Sequence, residues 1–147
     1  MTIVYMDGVF DLFHYGHIRA IHKCKELGEE LAIRNGDTCR VMIGIISDPD
    51  TQSYKRLPVF TLTERTEILR NIKDVDIVVS PAPLIVTREF VDEHGIDMVV
   101  HAFADDADFE NQKSQHRELI DMGIFQRIPY TSEISTSSIL SKIKKHY

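Results

Sequence analysis

Apolar positions along the chain change their period repeatedly. TIVYM, 2–6, is apolar at nearly every position and predicts a short strand. In GHIRAIHKCKEL, 16–27, Ile18, Ile21, Cys24 and Leu27 recur near helical spacing with Lys25 opposite, and Gly28 ends the pattern, which predicts a helix. RVMIGIIS, 40–47, is a nearly continuous apolar run bounded by Asp48-Pro49, as in a strand buried on both faces between parallel neighbours. TLTERTEILRNI, 61–72, opens on a capping box of Thr61 and Glu64 and carries a stripe of Ile68, Leu69 and Ile72, so a second helix is expected there. VDIVVS, 75–80, reads as a strand, TREFVDEHG, 87–95, as a short helix closed by Gly95, and DMVVH, 97–101, as another strand. NQKSQHRELIDMG, 111–123, predicts one helix closed by Gly123. IFQRI, 124–128, predicts a strand, and STSSILSKIKKHY, 135–147, a last helix capped by Ser135 or Thr136 with lysines in its final turn.

Strands alternating with helices of this length imply right-handed βαβ units, and so an α/β fold with a Rossmann-like, doubly wound parallel sheet. Residues 1–147 are read as a single domain, with no internal repeat, low-complexity segment or linker. In such sheets a ligand lies beyond the carboxyl ends of the strands at the switch point, which usually involves the first strand. GVFDLFHYGH, 8–17, falls there.

Composition narrows the classes. The chain is 43% hydrophobic and 27% charged, as in a globular protein, and no apolar run approaches the roughly 20 residues of a membrane span. MTIVYMDGVF has neither a basic start nor a small-residue cleavage site, so a cytoplasmic protein is expected. Cys24 and Cys39 suggest neither a disulfide framework nor a zinc site. A net charge of −6 argues against nonspecific binding to nucleic acid or anionic lipid. An anionic ligand would need a local cluster of donors.

Such a cluster is visible at 8–17. Gly8 permits close backbone approach, Gly16 sits at the helix start, and the N–H groups there favour phosphate, toward which His14 and His17 would project. An isolated H-x-x-H is more often a pair of surface or capping histidines; this one follows a strand, opens a helix and occupies the switch point. Lys55, in the loop SYKRLP, has the plain reading of a solvated cation. Arg65 stands in a first helical turn, where a cation opposes the dipole unless an anion lies near. Asp48 reads equally as a turn former before Pro49 or as part of a site.

GVFDLFHYGH, with its H-x-G-H core, resembles the signature of the cytidylyltransferases that make CDP-alcohols, within a wider nucleotidyltransferase superfamily. SDPDTQSYKRLPVFTLTERTEILRNIKDVD, APLIVTREFVDEHGIDMVVH and EISTSSIL resemble later family segments, so the likeness spans essentially the whole chain and is greatest to the choline-phosphate and ethanolamine-phosphate enzymes. It implies transfer of CMP from CTP, with Mg²⁺, to phosphoethanolamine or phosphocholine, with release of pyrophosphate and supply of phospholipid synthesis. It also implies a homodimer and no membrane segment; because the chain stops at Tyr147, the membrane-binding helix of some choline-phosphate relatives is expected to be absent. By resemblance His14 and His17 bind phosphate and stabilise the transition state. Lys55 reaches the triphosphate and the acceptor phosphate, and Arg65 corresponds to a family arginine. Asp11 organises the nucleotide loop, the backbone of Val9 and Phe10 lies against the nucleotide, and His101 with Asp105 or Asp106 lies by the cytosine. Thr131, Ile134, Ser135 and Thr136 match the I-S-T region, whose Ser135 and Thr136 can hold phosphate.

Four departures follow from the same likeness. Ala102-Phe103-Ala104 is inserted before Asp105-Asp106. Tyr130 stands where the family has an arginine on the phosphates, with Arg127 as the nearby candidate to compensate, and Glu133 replaces a glycine. Leu84 replaces an aromatic of the choline cage. The alternative readings are a nucleotide-binding module with reduced or lost catalysis, motivated by Tyr130 and Glu133, and an adenylyltransferase using ATP, as some of the superfamily do.

Overall fold

The computed structural model describes residues 1–147. Five strands, β1 (Thr2–Gly8), β2 (Cys39–Ile46), β3 (Ile77–Ala82), β4 (Met98–Phe103) and β5 (Phe125–Pro129), form one sheet in the order β3-β2-β1-β4-β5, with every pairing parallel. Side chains alternate across it as the pleat requires. Val4, Met6, Val41, Ile43 and Ile45 enter a core closed by Ile21, Cys24 and Leu69, whereas Ile3, Tyr5, Met42 and Val99 pack on the other face with Val91 and Leu119. The doubly wound parallel sheet expected from the alternation is what forms.

The helices are α1 (Tyr15–Asn35), α2 (Asp48–Gln52), α3 (Leu62–Arg70), α4 (Arg88–His94), α5 (Asp106–Gln112), α6 (Arg117–Asp121) and α7 (Thr136–His146). Two expectations are corrected. Gly28 does not end α1, which runs on to Asn35 and stops at Gly36 in the left-handed region, φ 71°. Gly28 is instead buried where helix meets sheet, because a Cβ there would lie 2.5 Å from Val4 Cγ1 and 2.7 Å from Cys39 Sγ. The helix expected over 111–123 is broken into α5, a 3₁₀ turn Lys113–His116 and α6, and it starts earlier because Asp105 caps the Asp108 N–H. Asp48-Pro49, read equally as a turn or as part of a site, is the first turn of α2, capped by Ser47. β3 also runs past Pro81, which an edge strand tolerates.

Candidate functional site

The chain leaves β1 toward β2 and β3 on one side and returns to β4 and β5 on the other, so the order reverses between β1 and β4. Beyond Gly8 the loop to α1 is bound tightly. His14 is the N-cap of α1: its Nδ1 accepts the Gly16 N–H at 3.1 Å, while His17 Nδ1 accepts the His14 N–H at 3.1 Å. The H-x-G-H spacing is thus a capping box built from two imidazoles in place of the usual hydroxyl and carboxylate.

That geometry fixes the protonation chemistry. A backbone N–H can only donate, so both Nδ1 atoms are unprotonated and each neutral ring carries its hydrogen on Nε2. Burial, and then the neighbouring His14, push His17 down to about 3, and burial also lowers His14. The two rings stack with centroids 3.8 Å apart, and His17 is further held against Phe13 at 5.2 Å and Phe10 at 5.5 Å. Two oriented, neutral donors result. Gly16 is required for this, since a Cβ there would lie 2.8 Å from His14 Cε1 and 3.1 Å from Ile134 Cγ2.

Asp11 holds the loop itself. Phe10 and Leu12 both have positive φ, 55° and 47°, a region that costs side-chain-bearing residues energy unless neighbours enforce it. The Asp11 carboxylate, 5% exposed, accepts from Leu12 N at 3.1 Å, Val59 N at 2.7 Å and Phe60 N at 2.9 Å, and its carbonyl accepts from Thr136 Oγ1 at 2.7 Å. One residue thereby joins the histidine loop, the end of the lysine loop and the start of α7. Ser135 caps α7 through the Ser138 N–H, so the N–H groups of Thr136 and Ser137 find no acceptor within the helix.

Arg65 departs from expectation. It is fully buried, and four of its five N–H donors are used: Nε on Phe60 O, Nη1 on Val9 O and Ile46 O, and Nη2 on Asp48 Oδ1 at 2.5 Å. It therefore positions the ends of β1 and β2 rather than facing an anion, and Asp48 is its counterion. Lys55 lies in an exposed loop, where partial desolvation first and Arg56 second lower its pKa.

Across the switch point the ties are fewer. His101, near the end of β4, is pushed down to about 4 by burial and then by His116; its Nδ1 is 3.9 Å from Asp7 Oδ1. Asp105 is an N-cap, and Asp106, with a side chain 95% exposed, pairs with Arg127 Nη2 at 2.8 Å. Arg127 also lies over Phe109 at 4.1 Å, which removes it as the compensating cation. Tyr130 is exposed, Thr131 and Ile134 are half-buried in the turn before α7, and Glu133 pairs with Arg19 at 3.5 Å.

Residues 5–142 match the profile of the family described as cytidylyltransferase-like. The chain belongs to this family. It is 38% identical over 145 residues to choline-phosphate cytidylyltransferase 2 of Arabidopsis thaliana, covering 98% of this chain and 45% of that protein. It is 31% identical over 144 residues to ethanolamine-phosphate cytidylyltransferase of the same plant, covering 95% and 32%. The chain thus spans less than half the length of these curated relatives. The solved lipopolysaccharide core biosynthesis protein of Thermoplasma volcanium shares the fold at TM-score 0.64 and 20% identity, over 89% of this chain and 97% of that one.

Within this cytidylyltransferase-like frame, two polar residues escaped the sequence reading. Asp7, on β1 beside His101, is raised by burial to about 7, and below it on the same face the Tyr5 hydroxyl is enclosed without a partner. A carboxylate inside the apolar run TIVYMDG was the available signal.

Proposed function

We propose that the chain transfers CMP from CTP to a phosphorylated amino-alcohol, phosphoethanolamine or phosphocholine, releasing pyrophosphate as a step toward phospholipids. The observation that carries this reading is the histidine capping box, which aims two neutral Nε2–H donors from the start of α1 beside the free N–H groups that open α7. An oxygen of the acceptor phosphomonoester attacks the α-phosphorus, and the bond to the bridging oxygen of pyrophosphate breaks; positioning and charge neutralisation suffice, and no side chain acts as nucleophile. His14 and His17 donate to the phosphate oxygens where charge develops, and Lys55 approaches from the loop before α3. The acceptor's ammonium is assigned to Asp7, the half-buried carboxyl beside His101, and the cytosine to His101 and Asp105, because the Asp106 carboxylate is paired with Arg127. Val9 and Phe10 offer their backbone to the nucleotide, and Thr131, Ile134, Ser135 and Thr136 border its phosphates.

Mg²⁺ fits this donor set as an ion carried by the nucleotide: no group of three or more His, Cys, Asp or Glu side chains gathers to hold one, and Asp11 is already committed to three N–H groups. When bound, it screens the charge of the triphosphate. By family resemblance we also place the working protein in the cytoplasm as a homodimer; no helix is long and apolar enough to cross a membrane.

Incubation with CTP or ATP and a panel of phospho-alcohols, scored by pyrophosphate release, tests the reading. Turnover with CTP supports it, and turnover with ATP alone overturns it in favour of an adenylyltransferase. His14→Asn separates folding from chemistry, because asparagine keeps the N-cap but lacks the Nε2 donor: stability should change by under about 1 kcal/mol while kcat/KM falls about a hundredfold. Binding of CTP without turnover in the unaltered chain would favour the module that Tyr130 and Glu133 suggest.

A further inference from the structure

A triphosphate whose pyrophosphate is to leave needs cationic help at its far end, and most of the cations near the site are already engaged. Arg65 is buried on three carbonyls and Asp48, Arg127 is paired with Asp106 and stacked on Phe109, and Arg19 is paired with Glu133. Tyr130 brings no charge, and its hydroxyl donates to no protein group. Two neighbouring cations are left, Lys55 and Arg56, and neither has a carboxylate within ion-pair distance although the chain holds 23 acidic residues. Arg56 reaches from the lysine loop to α7, where its Nη1 donates to Ser137 Oγ at 3.3 Å. Ser137 follows directly on Ser135 and Thr136, in the segment whose family arginine is missing from this chain.

A guanidinium in that place is poorly served by the protein alone. It sits beside another cation and against the positive end of a helix, with one neutral hydroxyl as partner. An anion held between the lysine loop and α7 would relieve all three. The geometry points to Arg56 as a further nucleotide-binding residue, whose guanidinium takes the β- and γ-phosphates from the α7 side and does the work that falls to an arginine at position 130 in the family pattern. This rests on the CMP-transfer reading. It also explains how a nucleotide site lacking that arginine keeps its charge: the cation enters from a different loop.

Calorimetric titration of the whole chain with CTP, CMP and inorganic pyrophosphate tests it. Arg56→Gln should weaken CTP and pyrophosphate by about thirtyfold, the loss of a charged hydrogen-bonding group, and leave CMP within about threefold. Adding Tyr130→Arg to Arg56→Gln should return about tenfold of the lost affinity for CTP. Arg56→Gln weakening CMP and CTP alike would show a structural loop residue, and unchanged affinities would show a solvated one; either overturns the assignment. If the unaltered chain turns over CTP while Arg56→Gln binds it equally well, CMP transfer stands and Arg56 has no part in it. If the unaltered chain binds neither CTP nor pyrophosphate, both readings fall.

Discussion

Asp11 and Asp106 are aspartates beyond the carboxyl ends of two neighbouring strands, and their surroundings are opposite. Asp11 is buried and gathers three backbone N–H groups from two loops, while Asp106 is exposed and holds only the guanidinium of Arg127. The same contrast runs through the two sides of the switch point. On the β1 side, strained backbone, stacked imidazoles and a buried arginine are held by crossed hydrogen bonds, so the imidazole donors are oriented before any ligand arrives. On the β4 side, aromatic rings and surface ion pairs carry the contacts, and the segments are short: α5, a 3₁₀ turn and α6. The comparison teaches that one side of a switch point can be built rigidly while the other rests on ties that are cheap to alter.

The largest effect should come from removing the tie that holds the rigid side. Arg65→Met leaves Asp48 without its partner and the carbonyls of Val9 and Ile46 without donors in a buried site, which should cost about 4 kcal/mol and lower Tm by roughly 10 °C. Thermal unfolding measures it. An unchanged Tm with lost activity would mean that Arg65 serves only an anion and that the rigid side is held by something else.

Asp7 lies between the two sides and should show a smaller effect that depends on pH. Its carboxyl is raised from 3.8 to about 7 in the folded chain, by burial. Between about pH 4 and 7 the unfolded chain has therefore lost a proton that the folded chain keeps, so stability falls as pH rises through this window and levels off above it. Asp7→Asn removes the titrating group, and the variant should gain up to a few kcal/mol relative to the parent from pH 4 to pH 8 in urea denaturation. Equal slopes for the two proteins would place Asp7 in water, on the loosely built side.

Much of this was legible in the residues. Parallel strands follow from apolar runs such as RVMIGIIS, and the switch-point position of GVFDLFHYGH follows from the alternation of elements. The role of Arg65 was not legible, because three of its four acceptors are main-chain carbonyls as far as 56 residues away, which no side chain in the sequence marks. Gly28 misled for a related reason. A glycine on a helical pattern reads as a stop, whereas here its missing Cβ is needed by Val4 and Cys39, residues brought there only by the packing of α1 on the sheet. The cap of α2 was written locally, in Ser47 followed by Pro49, and was obscured by the equally common use of Asp-Pro as a turn.

The smallest effect is expected at Asp106. Its pair with Arg127 is solvent-exposed on the aspartate side and close to half-exposed on the arginine side, and such pairs contribute little. Asp106→Ala should therefore change stability by less than about 0.5 kcal/mol. Arg127 keeps its place over Phe109 through the ring, so loss of the carboxylate should not release it toward the phosphates. CTP affinity should then stay within about twofold of the parent. A variant that binds CTP distinctly more tightly would show that Asp106 restrains a cation the nucleotide can use, and the loosely tied side would then take part in holding the triphosphate.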